Sequence, residues 1–336
     1  MNILITGGAG YIGVPLVASL LSQGHKVRVF DIGLYGFEQL LGFIHLPNFE
    51  LKIGDIRNEK EFLEAISSMD AVVHLAALVG ENACKINKKA TVDINELSVQ
   101  KLLKFCNDKK GLRIVFLSTC SNYGLANNNT LADEDSELKP LSLYAETKVA
   151  AENIILSTDK NPIVTILRLG TICGLSPRMR FDLLISDLAL CAIQNREIEI
   201  YKPEAWRPFV HLKDAVNVIN LVLNLPKEKV HKKVFNVVKE NIKKRYLGEI
   251  VNKHFPKVPI KYTTHNPDNR DYRVSGLRLK KELGYSCFVS VEEAFLETSN
   301  AINNKFFRDP NWSGHSAIPT NNMFEILSPI FPKNKF

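Results

Sequence analysis

The chain has 336 residues, 45% hydrophobic and 24% charged, with a formal net charge of +7. That length suits one large or two unequal domains, and the balance is ordinary for a globular protein. No apolar run reaches the roughly 18 residues a membrane helix needs, and the positive charge forms no stripe with aromatic platforms, so neither a membrane nor a nucleic acid is the expected partner. The tightest basic clusters, Lys227 to Lys233 and Lys243-Lys244-Arg245, read as solvated faces whose field can raise the capture rate of an anionic substrate.

Asn2–Thr6 reads as a short apolar strand that runs straight into a glycine motif, so the N-terminus is a strand rather than a signal peptide and the cytoplasm is the expected compartment. Val14–Ser22 has helical spacing and ends at Gly24. Lys26–Phe30 is a second strand closed by Asp31, and Phe49–Ile53 a third, followed by Gly54-Asp55. Glu59–Ser67 is helical, Ala71–Leu75 a fourth strand, Val92–Cys106 a long helix and Arg113–Ser118 a fifth strand. Leu143–Leu156 is another helix and Ile163–Leu169 another strand. Strands alternating with helices at this spacing predict a parallel sheet covered on both faces, and the right-handed crossover rule makes it doubly wound.

After residue 172 the rhythm changes, with short strands, helices and prolines mixed. The expected division is 1–172 for a dinucleotide domain, 173–305 for a smaller mixed α/β substrate lobe, and 306–336 for an extended tail. Phe209–Leu223 reads as helical after its first residues, and part of 209–237 is expected to rejoin the main sheet. The six cysteines (84, 106, 120, 173, 191 and 287) are scattered without a C-x-x-C pair. That arrangement indicates buried thiols, no zinc site and no disulfide framework; no metal is expected.

Strand, glycine turn and helix are the context in which a glycine pattern becomes a binding site. In Thr6-Gly7-Gly8-Ala9-Gly10-Tyr11-Ile12-Gly13, Gly7 allows the tight turn, Gly10 lets backbone approach a pyrophosphate at the positive helix end, and Gly13 lets helix and strand pack closely. Asp31, eighteen residues after Gly13, can accept hydrogen bonds from the adenosine ribose hydroxyls and would repel a 2′-phosphate. With Ile32 and Gly33 beside it rather than an arginine, the expected cofactor is NAD, not NADP. Asp55-Ile56 either reaches the adenine or caps the following turn.

Tyr144 and Lys148 share a helix face at i, i+4. A tyrosine with a pKa near roughly 10 is a poor base at neutral pH, and a nearby ammonium favours its phenolate. Thr119, at the end of the fifth strand and hence at the ligand side of a parallel sheet, offers a hydroxyl to a substrate alcohol, with strand-end capping as its structural alternative.

These residues resemble the extended short-chain dehydrogenase/reductase family, in its nucleotide-sugar epimerase/dehydratase branch, over residues 1–300. The motifs are Thr6 to Gly13, Gly54-Asp55-Ile56-Arg57, His74-Leu75-Ala76-Ala77, Ser118-Thr119 through Tyr123-Gly124, Tyr144 with Lys148, Gly174 to Arg180, and Arg207 to Ala215. The resemblance implies a Rossmann domain and an NAD-dependent enzyme with Tyr144 as acid/base, Lys148 as its partner and Thr119 as hydroxyl helper. It implies NAD contacts from the glycine loop (Gly7, Gly10, Tyr11, Ile12, Gly13), Asp31, Asp55, Ile56, Leu75, Ala76, Ala77, Asn95, Tyr144 and Lys148. Arg207 stands where UDP-galactose 4-epimerase-like enzymes grip the substrate diphosphate, a role that suits a guanidinium. Arg178, Arg180, Arg270 and Arg273 are secondary phosphate candidates, each with a structural role as the alternative. The helices near 92–107 and 143–156 would form the interface of a homodimer.

Departures from the family pattern narrow the chemistry. The resemblance places Thr-Asp-Glu in sugar 4,6-dehydratases where this chain has Thr119-Cys120-Ser121, and a Glu in UDP-glucuronate decarboxylases at Ser121. Family 3,5-epimerases carry a Cys at the Ser121 position; Cys120 is one residue off and reads as packing. Thr171 stands where 4-epimerases often have a substrate-binding Asn. The expected reaction is therefore at C4 of a nucleotide-diphosphate sugar, and the resemblance, by frequency within the family, implies a 4-epimerase acting through a 4-keto intermediate. The alternatives are a net C4 dehydrogenase or 4-ketoreductase, and a non-catalytic NAD-binding sensor or scaffold.

Overall fold

The computed structural model describes residues 1–125, 131–158, 161–264, 270–311 and 315. Twelve strands are formed among them: β1 Asn2–Thr6, β2 Lys26–Asp31, β3 Phe49–Ile53, β4 Ala71–His74, β5 Arg113–Thr119, β6 Ile163–Leu169, β7 Thr171–Cys173, β8 Ile198–Tyr201, β9 Trp206–His211, β10 Lys233–Val237, β11 Glu240–Lys243 and β12 Ile260–Thr263. Seven of them make one sheet in the order β10-β6-β5-β4-β1-β2-β3. The pairs β1 with β2, β1 with β4, β2 with β3, β4 with β5 and β6 with β10 are parallel.

The doubly wound parallel sheet expected from the alternation is thus present. Its strand order reverses between β1 and β4, and in such sheets ligands bind outside the carboxyl ends at that reversal. The loops that follow β1 and β4 are the glycine loop and Leu75–Leu78. β4, β5 and β6 are buried along almost their whole length, which is why their sequences read as continuous apolar runs rather than as alternations.

The chain divides into two compact units, Met1–Phe116 with Ser142–Val164, and Leu117–Leu141 with Thr165–Ser316. In the first, the helix Gly13–Ser22 buries Val14, Leu16, Val17, Leu20 and Leu21 on one stripe. The helix Glu59–Ile66 starts at Asn58, whose side chain accepts from the backbone N–H of Lys60 and Glu61. The long helix expected over 92–106 begins earlier, at Lys88, and is interrupted by a π-helical turn at Asp93–Leu97 before resuming as Ser98–Cys106. The helix Leu143–Ser157 is capped by Ser142, whose Oγ accepts from Ala145 N at 3.3 Å.

The second unit carries a three-stranded sheet in the order β11-β9-β7, antiparallel between β11 and β9 and parallel between β7 and β9, and a two-stranded parallel pair of β12 and β8. The segment 209–223, read as helical after its first residues, does turn helical at Leu212, where His211 supplies the cap; the residues before it belong to β9. Buried residues continue from strand into helix there, with Phe209, Val210 and His211 followed by Leu212, Asp214 and Ala215, so the pattern of side chains alone does not mark the boundary. The expected tail is described at 306–311 and 315, where the Phe307 and His315 rings stand edge-on to Phe181 at 5.1 and 5.3 Å and Phe181 N donates to His315 O at 2.9 Å. Its remaining residues, 312–314 and 316–336, lie outside the described ones. No helix among the described residues is long and apolar enough to cross a membrane.

Candidate active site

The glycine loop is shaped by contacts that leave no room for side chains. Gly7 sits at φ +68°, and a Cβ there would fall 2.7 Å from Ala76 N. At Gly13 it would fall 2.5 Å from Gly8 O, so helix and loop touch backbone to backbone. The loop is pinned to β2 by Gly7 N donating to Phe30 O at 2.9 Å and Ala9 N donating to Asp31 Oδ2 at 3.0 Å. The helix Gly13–Ser22 has no side-chain cap and no acidic residue in its first turn, which suits an approaching anion. These features fit a dinucleotide pyrophosphate.

Asp31 lies where the sequence pattern puts it, at the end of β2. Gly33 N donates to its Oδ1 at 2.9 Å and Ala9 N to its Oδ2, so two backbone groups orient the carboxylate. A carboxylate at this place offers acceptor oxygens of the kind ribose hydroxyls need. Asp55 is engaged locally: its carboxylate pairs with Arg57, with Nη2 at 2.6 Å and Nε at 2.8 Å, and accepts Arg57 N at 2.8 Å. Ile56 and Tyr11 are buried beside it in sequence and in the glycine loop respectively, while Ile12 is half-buried.

The Leu75–Leu78 loop is held by Asn95. Leu78 N donates to Asn95 Oδ1 at 2.8 Å, and Asn95 Nδ2 donates to Leu78 O at 3.0 Å and to Thr147 Oγ1 at 3.3 Å. Thr147 in turn donates to Tyr144 O at 2.9 Å. The π-helical turn carries Asn95 into this position, a device that periodicity does not reveal.

Tyr144 and Lys148 occupy one face of the helix Leu143–Ser157, Tyr144 half-buried and Lys148 only 3% exposed. The Lys148 Nζ stands 4.6 Å from the centre of the Phe116 ring. Burial holds its ammonium down to about 8, against the opposing attraction of Glu152. A lysine so placed gives up its proton more readily than one in water, and while charged it acts on its surroundings with little solvent screening. His74, enclosed between Thr6 and Ser98, is pushed down to about 3 by burial and by the charge of Lys148, so its ring is neutral.

The second unit gathers a separate group. Thr119 ends β5, and its Oγ1 accepts Ser121 N at 3.0 Å, capping the short turn Cys120–Tyr123. Ser121 Oγ receives Arg270 Nη1 at 3.3 Å and Tyr272 OH at 3.4 Å. Arg207, 5% exposed, donates from Nη1 to Trp206 O at 2.9 Å and to Arg270 O, and its guanidinium lies 5.9 Å from the Tyr272 ring centre. Ser121 and Tyr272 were not singled out as site residues by sequence reading; 151 positions separate them, and no local pattern links them.

Arg207 and Arg270 are therefore together, whereas Arg178 and Arg180 bond to neighbours in sequence and Arg273 lies over Trp206. Arg178 is buried and donates to Met179 O at 3.4 Å, Arg180 pairs with Asp182 at 2.6 Å, and Arg273 lies 5.2 Å from the Trp206 ring centre. Cys120 is 1% exposed, packs with Tyr123, Ala132, Val238, Tyr272 and Val274, and donates its thiol to Arg168 O at 3.3 Å.

Residues 3–237 match the model of the NAD dependent epimerase/dehydratase family. The chain belongs to that family. It is an enzyme of the short-chain dehydrogenase/reductase type, and its cofactor is NAD. It is 30% identical over 247 residues to an uncharacterised UDP-glucose epimerase of Bacillus subtilis, covering 67% of this chain and 73% of that one. It is 34% identical over 184 residues to a UDP-glucose 4-epimerase of Lactobacillus helveticus, covering 52% and 53%. Among solved structures, Pal from Bacillus thuringiensis superposes with a TM-score of 0.81 at 26% identity, covering 90% of this chain and 99% of that one. UDP-glucuronic acid 4-epimerase from Bacillus cereus, solved with UDP-glucuronic acid and NAD, superposes with a TM-score of 0.82 at 24% identity and the same coverage, a likeness of fold.

Proposed function

We propose that this family member oxidises and re-reduces C4 of a nucleotide-diphosphate sugar, acting as a 4-epimerase. The observation that carries this reading is the composition of the turn after β5. Thr119 and Ser121 present hydroxyls there, and Cys120 is turned into the core with its thiol on a backbone carbonyl. Elimination across C5 and C6 needs a second acid and base, and this turn offers neither. A reaction that moves one proton and one hydride needs only the tyrosine.

In that reaction Tyr144, as phenolate, accepts the proton of the C4 hydroxyl and later returns it. Lys148, while charged, lowers the cost of that phenolate, and the Thr119 hydroxyl orients the substrate alcohol. NAD, held by the glycine loop and Asp31, would supply the acceptor and donor of the C4 hydride, and return of that hydride to the opposite face of the 4-keto sugar is what inverts C4. Arg207 and Arg270 bind the diphosphate oxygens through paired N–H groups. The glycine loop, Asp31, the Asp55-Ile56 turn, Leu75 to Ala77 and Asn95 hold the dinucleotide. The helices Ser98–Cys106 and Leu143–Ser157 meet their copies in a homodimer, and a monomeric mass by light scattering would remove that assignment.

The test is a panel of nucleotide sugars incubated with the NAD-loaded protein and no added cofactor. The expected product is the C4 epimer at constant NAD. A released 4-keto sugar, or stoichiometric consumption of NAD or NADH, would replace epimerisation by net C4 dehydrogenation or ketoreduction. Tyr144→Phe is expected to lower turnover by roughly a thousandfold while NAD stays bound; unchanged turnover would end the role given to Tyr144.

A further inference from the structure

One buried hydrogen-bond chain in the first unit has a single possible direction. Ser98 Oγ lies 2.6 Å from Ile94 O, a carbonyl that can only accept, so the Ser98 proton is committed there. Ser98 Oγ must then accept from His74 Nε2, 3.2 Å away, which places the ring proton on Nε2. The neutral ring leaves Nδ1 as an acceptor, so Thr6 Oγ1, at 2.9 Å, donates to it. Thr6 Oγ1 in turn receives Ala76 N at 3.3 Å. The hydrogen bonds therefore run one way, from Ala76 through Thr6, His74 and Ser98 to Ile94.

Thr6 and Ser98 are fully buried and His74 is 1% exposed. A protonated ring would aim a second donor at Thr6, whose own proton would then have no acceptor in the chain. The surroundings enforce neutrality, since burial and the charge of Lys148 keep the imidazole pKa near the acidic end, at about 3. The ring is stacked between Phe62 and Phe116, with centroids 6.2 and 6.1 Å away.

The ends of this chain are functional positions. Thr6 is the last residue of β1 before Gly7, and Ala76 lies in the loop after β4. Ile94 belongs to the π-helical turn and precedes Asn95, which clasps both backbone groups of Leu78. We propose that His74 is a positioning residue of the cofactor site: its Nε2-protonated ring ties the start of the glycine loop to the turn that bears Asn95, and so clamps the Leu75–Leu78 loop at Ala76 and at Leu78 in the place where it meets NAD. This rests on the reading that the loop faces the dinucleotide, and it does not depend on which sugar is the substrate.

The test uses the full chain and two readouts other than turnover, NAD affinity by titration calorimetry and the tautomer of His74 by nitrogen NMR of labelled histidine. His74→Phe keeps the stacked ring and removes both hydrogen bonds; Thr6→Val removes the first. Each is expected to weaken NAD binding tenfold or more in a folded protein, and the double variant no further than the worse single, because one chain is broken in each case. His74→Asn, whose side-chain oxygen can replace Nδ1 as acceptor, is expected to restore part of the affinity. The wild-type signal should report Nε2–H and stay constant from pH 5 to pH 8.

Wild-type NAD affinity in folded His74→Phe or Thr6→Val overturns the proposal, as does an Nδ1–H tautomer or a titrating ring. If His74→Phe fails to fold, Thr6→Val, Ser98→Ala and the wild-type tautomer still decide. Loss of epimerisation as the reading would leave these outcomes in place, whereas a Tyr144→Phe variant that is inactive beside an unaffected His74→Phe would sink the clamp alone.

Discussion

Replacing Lys148 with methionine should stabilise the cofactor-free protein while removing its activity. Lys148 is 3% exposed, and burial lowers its pKa from 10.5 to about 8. A displacement of that size corresponds to about 3 kcal/mol favouring the neutral side chain in the fold, a figure that already contains the attraction of Glu152. Methionine fills similar space without a charge, so the variant should gain up to about 3 kcal/mol at pH 7. The sign follows from proton counts. Below pH 8 both folded and unfolded wild type carry the proton, and the full penalty applies. Between about 8 and 10.5 the folded state has lost it and the unfolded state retains it, so wild-type stability rises with pH and the gap to the variant closes. Urea unfolding of both proteins at several pH values from 7 to 10 measures the gap. A variant less stable at pH 7, or a gap that does not change with pH, would refute the argument. Turnover should fall steeply in the same variant, since a buried charge that weakens the fold is retained where the chemistry uses it.

Gly7→Ala should abolish NAD binding and cost at least about 1–2 kcal/mol, because the residue has φ +68° and its Cβ would sit 2.7 Å from Ala76 N; thermal melts with and without NAD check this. Asp31→Ser with Ile32→Arg should shift preference toward NADP, read as the ratio of the two binding constants, with some stability lost because Ala9 N and Gly33 N lose their acceptor. Arg207→Met should raise KM for a nucleotide sugar more than tenfold and leave NAD affinity unchanged; an unchanged KM would remove it from the diphosphate site. Cys120→Ala should cost roughly 1 kcal/mol by emptying core space and leave kcat as it was, whereas a collapse in kcat with intact folding would give the thiol a chemical role.

The elements that sequence located well are those whose local chemistry is self-sufficient. β1, β3 and β6 fall on the expected residues, β1 and β6 as mainly apolar runs and β3 as an alternation of apolar and charged residues that ends at Gly54. The helix with Tyr144 and Lys148 is legible from its spacing, and the structure adds Ser142 as its cap. What sequence missed depends on partners far along the chain. The π-helical turn is favoured by Asn95 reaching back to Leu78 and by Ser98 bonding Ile94 O, neither of which alters the hydrophobic period. β9, with Arg207 and Pro208 near its start, has no strand-like alternation of its own, and its pairing with β7 and β11 is what defines it.

Sequence by itself therefore determined the doubly wound sheet, the glycine turn between β1 and its helix, and the Tyr144–Lys148 spacing, because turns, caps and helical faces are set by residues a few positions apart. Tertiary structure alone decided that Lys148 is desolvated, that Cys120 belongs to the core, that Ser121 meets Arg270 and Tyr272, and that His74 is a neutral link between Thr6 and Ser98. Burial and hydrogen-bond direction are properties of what surrounds a group, and those surroundings come from segments tens to more than a hundred residues away.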